Sequence, residues 1–201
     1  EIHRSDLDAT ADSVRFDSSG LGVLYGRPEI RGEGFELTGD SVLVGFAEDE
    51  LREVRAFGDA TATGQDFELQ SDIVTAEIIG GEVERLWAFG GGRAIAASGT
   101  LQLAAAAIES ALAAGRLDSI AAVGQAASGE KAPYLGGGPL VEAERGRDPG
   151  ANWLTGDTIR AFFTSAPGDS LLAPSEVAPT PERLTALGNA RSFYASVRDS
   201  T

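Results

Sequence analysis

Four aspartates, Asp12, Asp40, Asp72 and Asp157, stand at the heads of similar segments along the chain. Carboxylates recurring in this way could form a ladder of oxygen ligands for calcium, or two of them could act as the acid and the base of a glycosidase. Neither chemistry is expected. One carboxylate per level supplies too few oxygens, and the Gly-Gly-x-Gly-x-Asp pattern of calcium-binding rolls is missing. Among 31 acidic residues nothing singles out a catalytic pair. The aspartates are expected to shape turns, a role that suits a short side-chain acceptor. Two glycine triplets, Gly90-Gly91-Gly92 and Gly136-Gly137-Gly138, lack the lysine and the strand-to-helix setting of a phosphate loop and also read as turns. There is no cysteine, and His3, near the terminus, is the sole histidine. Thiolate nucleophiles, zinc-thiolate sites and multi-histidine metal sites are thereby excluded, and a Ser-His-Asp triad is disfavoured. No enzyme, no metal and no cofactor is expected.

What remains is apolar chemistry, and the elements that would present it come from an internal repeat. Gly39-Asp40-Ser41-Val42-Leu43-Val44-Gly45-Phe46 leads to Glu50-Leu51-Arg52-Glu53-Val54-Arg55-Ala56-Phe57-Gly58. The same frame returns at Ser71-Asp72-Ile73-Val74-Thr75-Ala76-Glu77-Ile78, leading to Glu82-Val83-Glu84-Arg85-Leu86-Trp87-Ala88-Phe89-Gly90. A third copy runs from Ile108, Ser110 and Leu112 to Gly124. A fourth is split between Gly156 to Phe163 and Glu182 to Ser192, and a weak first copy begins at Ala11-Asp12-Ser13-Val14-Arg15-Phe16.

Within each copy the apolar residues alternate with period two, which is a strand pattern. Val54/Ala56/Gly58, Leu86/Ala88/Gly90, Ile120/Ala122/Gly124 and Leu184/Ala186/Gly188 fall in matching columns that narrow from large to absent side chains, implying a taper toward one wall. Short apolar pairs before each unit, Phe35/Leu37, Phe67/Leu69 and Leu101/Leu103, with Leu154 before the last, predict about three strands per repeat. The segments Ala47 to Glu50 and Ile79 to Glu82 predict hairpins. Leu101 to Gly115 is rich in Ala and Leu and has helical propensity. Period two at Ile108/Ser110/Leu112 and the repeat frame favour strand there. Two segments near 129–152 and 165–181, rich in Gly and Pro, read as loop insertions in a single domain spanning 1–201.

The inward columns hold the candidate lipid-binding residues: Val42, Val44, Phe46, Val54, Val74, Ala76, Ile78, Leu86, Ile108, Leu112, Ile120, Ile159, Ala161, Phe163 and Leu184. The same residues, with Leu51, Val83 and Leu117, could simply be ordinary core, the commoner fate of apolar side chains. Five levels at about 4.8 Å make a trough about 24 Å long, against about 15 Å for one leaflet of bilayer hydrocarbon. Phe57, Trp87, Phe89, Val123 and Leu187 fall on the opposite face as a candidate contact stripe.

Composition bounds the partners. The net charge of −15 repels phosphate backbones, so nucleic acid is not an expected partner. The longest purely apolar run, Leu103 to Ile108, is far short of the ~20 residues of a membrane-spanning helix. The chain opens at Glu1 without an initiator methionine or an apolar leader, as expected of a processed or trimmed chain.

The grammar Gly-Asp-Ser-Val-x-Val followed by Glu-Leu-x-x-Val-x-Ala-x-Gly-x-Ala resembles the OstA-like/LptA family of lipopolysaccharide-transport proteins, from about Ala11 to Asp199. Leu187-Gly188-Asn189-Ala190-Arg191-Ser192-Phe193-Tyr194 is also similar to family sequences. The resemblance implies an all-β, repeat-built open β-jellyroll, two facing walls of stacked strands around an apolar groove. It also implies a periplasmic or cell-envelope protein that carries lipopolysaccharide acyl chains during outer-membrane assembly. Its expected partners are lipopolysaccharide or another acyl lipid, other OstA-like envelope proteins, and further copies of itself joined through edge strands. The alternative reading is a structural repeat protein that assembles head to tail into an envelope or extracellular fibre with a dry interior.

Overall fold

The structure, a computed structural model, describes residues 2–3, 7–18, 20–32, 34–47, 50–98, 101–129, 153–163 and 181–193. Within them every regular element is a strand: β1 Ile2–His3, β2 Leu7–Thr10, β3 Ser13–Phe16, β4 Leu21–Tyr25, β5 Glu29–Gly32, β6 Phe35–Thr38, β7 Ser41–Ala47, β8 Glu50–Gly64, β9 Glu68–Ile79, β10 Glu82–Ser98, β11 Leu101–Ala113, β12 Arg116–Gly129, β13 Trp153–Phe163, β14 Pro181–Leu187 and β15 Arg191–Phe193. All pairings are antiparallel. The Ala-rich segment is strand β11, paired on both sides, so ladder hydrogen bonds and burial override its helical propensity.

The chain runs back and forth between two walls, and each pass crosses from one wall to the other at a crease. In β8 the residues before Gly58 pair with β7, while those after Asp59 pair with β6. Register breaks at Phe57/Ala60, Phe89/Ala94, Ala104/Ala107 and Val123/Ala126 mark the same crease on successive strands. The first wall has the order β3, β4, β7, β8, β9, β10, β11, β12, β13, β14. The second has β1, β2, β5, β6, then the other halves of β8 to β13, then β15.

A repeat is therefore two bent passes, and the expectation of three strands per unit is corrected. The apolar pairs taken for separate strands, such as Leu37 and Leu69, are the second-wall halves of the same passes. The Gly-Asp corner between the halves reads locally like a turn. Since each unit adds two strands to each wall, the ten strands of the first wall span about 43 Å at about 4.8 Å each, nearly twice the length expected from five levels. The insertion bounds shift as well: Gly129 closes β12 opposite Trp153, and Pro181 opens β14 opposite Phe163. The segments between lie outside the described residues.

The crease explains the recurring aspartates. Asp12, Asp40, Asp72 and Asp157 each lay their side chain over the glycine of the next pass, respectively Gly26, Gly58, Gly90 and Gly188; in the third unit Ala106 lies over Gly124. The backbone N–H of Asp40 donates to the carbonyls of Phe57 and Gly58 at 2.8 and 3.0 Å, and that of Asp157 to Gly188 at 2.9 Å. The Asn189 amide also donates to the Asp157 carboxylate, at 3.1 Å to Oδ2. Gly58 has φ of +73° and Asp59 of +43°, so the turn of the chain is made by two left-handed residues. A methyl on the first would meet the Asp40 side chain.

Gly58→Ala is expected to lower the unfolding free energy by about 1–3 kcal/mol through strain and collision. Gly45→Ala, in β7 with its nearest neighbour atom 3.7 Å from the added methyl, should stay within about 0.5 kcal/mol. Urea unfolding of the two variants side by side measures the difference, and equal stabilities would remove the crease as a structural determinant.

Candidate functional site

The inner faces of the two walls meet in one apolar interior. Alternation in each strand sends every second side chain inward, and the pairing register stacks these side chains into rows running along the molecule. Beside the crease on the first wall the row reads Val42, Ala56, Val74, Ala88, Ile108, Ala122, Ile159, Ala186. On the second wall the register positions read Leu37, Ala62, Leu69, Ala96, Leu103, Ser128, Leu154, Ser192. From Val42 and Leu37 onward large residues on one pass face small ones on the next, whereas at the β3 end Val14, Leu24 and Val42 adjoin one another, as do Ile30 and Leu37 on the second wall. The narrowing columns of the sequence are thus a taper toward the crease, where the walls converge, and not toward one wall.

The next row outward on the first wall carries Val44, Val54, Ala76, Leu86, Ser110, Ile120, Ala161 and Leu184. Beyond it, at the hairpin ends, lie Phe46, Leu51, Ile78, Val83, Leu112, Leu117 and Phe163. All fifteen candidate lipid-binding residues therefore sit in these three inner rows. Thirteen are buried; Phe46 and Leu184 are half-buried and pack against the core. The interior is filled by its own side chains.

Burial is graded across the interior. From Val42 to Ile159 and from Leu37 to Leu103 the crease-side rows are within 2% of complete burial, whereas Phe35, Leu51, Leu101 and Leu112, at the hairpin ends, keep 8–9% exposure. These ends form two lips, one on each wall, and the lips meet along a seam opposite the crease. Polar contact across it is made by Asp66. Asp66 lies in the hairpin between β8 and β9 on the second-wall lip. Its Oδ1 accepts a hydrogen bond at 3.3 Å from the N–H of Leu117, on the first-wall lip. The spacing of 51 residues between the partners is why no local motif flagged Asp66.

At the ends of the stack the rows run out into solvent. The Phe16 ring folds over Gly22 at the β3 end and is 56% exposed; Leu184 and Ala186 mark the β14 end. Strands β3 and β14 each pair on one side alone among the described residues.

The outer faces are polar and crossed by ion pairs such as Arg52–Glu50 at 2.7 Å and Arg55–Glu53 at 3.0 Å. The Arg31 guanidinium, hydrogen-bonded to Glu36 and beside Glu29, is held above its ordinary pKa. The candidate outward stripe is a real row: Phe57, Phe89, Val123 and Leu187 share one register position just outside the crease, with Phe89, Val123 and Leu187 exposed. Trp87 belongs to the neighbouring row. Tyr25 and Ile73 complete the stripe and follow from the same alternation, although the sequence reading passed them over.

This architecture defines an all-β jellyroll built from bent, stacked passes. Among solved structures it is similar to LptH of Pseudomonas aeruginosa, the LptA-homologous periplasmic component of the conserved lipopolysaccharide transport device. The TM-score is 0.50 at 15% sequence identity, covering 59% of this chain and 82% of that one, and the likeness is one of fold. No protein-family model and no curated protein matches the sequence.

The rows predict strong coupling between neighbours. Ala88 and Ile108 are direct partners. Ala88→Ile alone should cost about 1–3 kcal/mol from overpacking, and Ile108→Ala alone about 2–5 kcal/mol. The double exchange is expected to recover at least about 1 kcal/mol of the sum. Chemical denaturation of the four proteins of this cycle measures the coupling, and strict additivity would contradict the in-register packing.

Proposed function

We propose that this chain is a non-enzymatic bridge segment of the periplasm. In this reading it holds the acyl chains of an envelope lipid, lipopolysaccharide in the first instance, between its two walls during outer-membrane assembly. The observation that carries the reading is the apolar interior. Among the described residues its core rows carry no charged side chain along a ten-strand wall of about 43 Å, nearly three times one leaflet's hydrocarbon of about 15 Å. The shared fold with a periplasmic lipopolysaccharide-transport component supports it.

With a net charge of −15 the protein would repel anionic head groups, so lipid contact runs through the hydrocarbon. The fifteen inner residues named above supply it. Partners of the same fold, and further copies of this chain, would join at the edge strands. Successive strands of the first wall alternate in direction, so β14 runs opposite to β3. A second copy translated along the stack would continue the antiparallel pattern and set Ala186 beside Val14 in the crease row.

A fibre-forming structural protein is the second reading, and the filled interior is the observation in its favour. A photoreactive residue at positions 44, 76 or 161 separates the two. Labelled lipopolysaccharide is expected to be captured from these positions and not from the outward controls 43, 75 and 160. Capture from none of them by a folded protein would favour the fibre. Sedimentation across a concentration series is expected to show head-to-tail species, and monomer at every concentration would refute self-association.

A further inference from the structure

The two long margins of the interior are held in different ways. At the crease every pass is continuous from wall to wall, so that margin cannot part without breaking the ladders. At the seam the lips are joined by side chains, and the polar contact described across it is made by Asp66. We propose that the seam is a lateral opening held shut by the Asp66 hairpin, through which an acyl chain passes sideways into the interior. This rests on the lipid-groove reading above.

Three observations converge on Asp66. Its hairpin is braced on its own wall: Ser98 Oγ donates to the Asp66 carbonyl at 2.8 Å, and the Gly64 N–H donates to the Phe67 carbonyl at 2.9 Å. Its side chain, 8% exposed, reaches the other wall, where Oδ1 accepts from the Leu117 N–H and Oδ2 lies 3.8 Å from Arg116 Nε. That Oδ2 is buried and accepts no hydrogen bond among the described residues. A carboxylate with one oxygen unsatisfied bears its desolvation cost while the seam is closed and sheds it when water reaches the lips. The latch is therefore specific in position and shallow in depth. The apolar residues behind it, Phe67 and Leu117, both members of the common core, would exchange contacts within that core for contact with an alkyl chain, which leaves apolar burial nearly unchanged.

A filled interior and a lipid-carrying role are compatible on this account: the closed state is packed, and the chain enters by parting the lips along their length. Threading from an end would instead require displacing Phe16 or Leu184 and then every row in turn.

The chain has no cysteine, so a double variant Asp66→Cys/Arg116→Cys carries the only thiols and tests both directions in one protein. Reduced, it lacks the latch; oxidised, or closed with a short bis-maleimide, it is locked. Uptake of cis-parinaric acid, a fluorescent polyene fatty acid, is expected to be about tenfold faster than wild type in the reduced form and at least about tenfold slower in the locked form. Asp66→Ala should resemble the reduced form. A locked protein that takes up the probe at the wild-type rate overturns the proposal in favour of uptake through the ends. If no form binds the probe, the lipid-groove reading fails, and hydrogen exchange decides the opening independently. Faster exchange at amides 64–67 and 113–117 in the reduced form than in the locked form supports a latched seam, and equal exchange overturns it.

Discussion

The structure depends on a single steric constraint: two walls that share the strands β8 to β13 must converge at the crease, and the space between them shrinks to nothing there. Each pass meets this with a side chain of the right size at each distance from the bend. Val54, Ala56 and Gly58 shorten in step with the gap, and the neighbouring pass fills what they leave with Val42 and the Asp40 corner. Because small and large passes alternate from Val42 onward, neither kind can be built there without the other. Hydrophobic burial supplies the drive, and the size alternation decides which register that burial selects.

The same constraint divides the labour between the two margins. The crease is stiffened by backbone hydrogen bonds and left-handed residues, whereas the opposite margin is closed, among the described residues, by apolar side chains and the Asp66 contact. Outer ion pairs at exposed positions add little to stability and keep the outside polar, so the interior is the chief apolar region of the described residues. The exposed row through Tyr25, Phe89, Val123 and Leu187 is the exception.

How much of this was legible in the sequence follows from the range of each signal. Period-two alternation and the recurring repeat frame are local or translational, and they gave the all-β class, the inward face of all fifteen candidate residues and even the strand at Leu101–Ala113. The wall-to-wall bend was misread, because Gly39-Asp40 and Ser71-Asp72 carry turn chemistry whether the chain reverses or merely bends. Counting each half-pass as a strand then halved the expected length of the trough. The Asp66 contact was invisible for another reason: it joins residues 51 apart through a backbone N–H, which leaves no trace in residue type. The fit of large to small residues along the rows was present as columns, but its direction needed the crease.

The alternation of large and small passes also limits how such a chain can change in length. Within the alternating stretch, from Val42 to Ala186, losing or duplicating one pass would set Val beside Val and Leu beside Leu, or Ala beside Ala, along the crease-side rows. It would also turn the terminal strand to face the wrong way for whatever adjoins it. Removing or adding a whole hairpin leaves every neighbour matched. Chains of this design are therefore free to diverge by pairs of passes, and descent by unequal duplication would leave an even count as its signature.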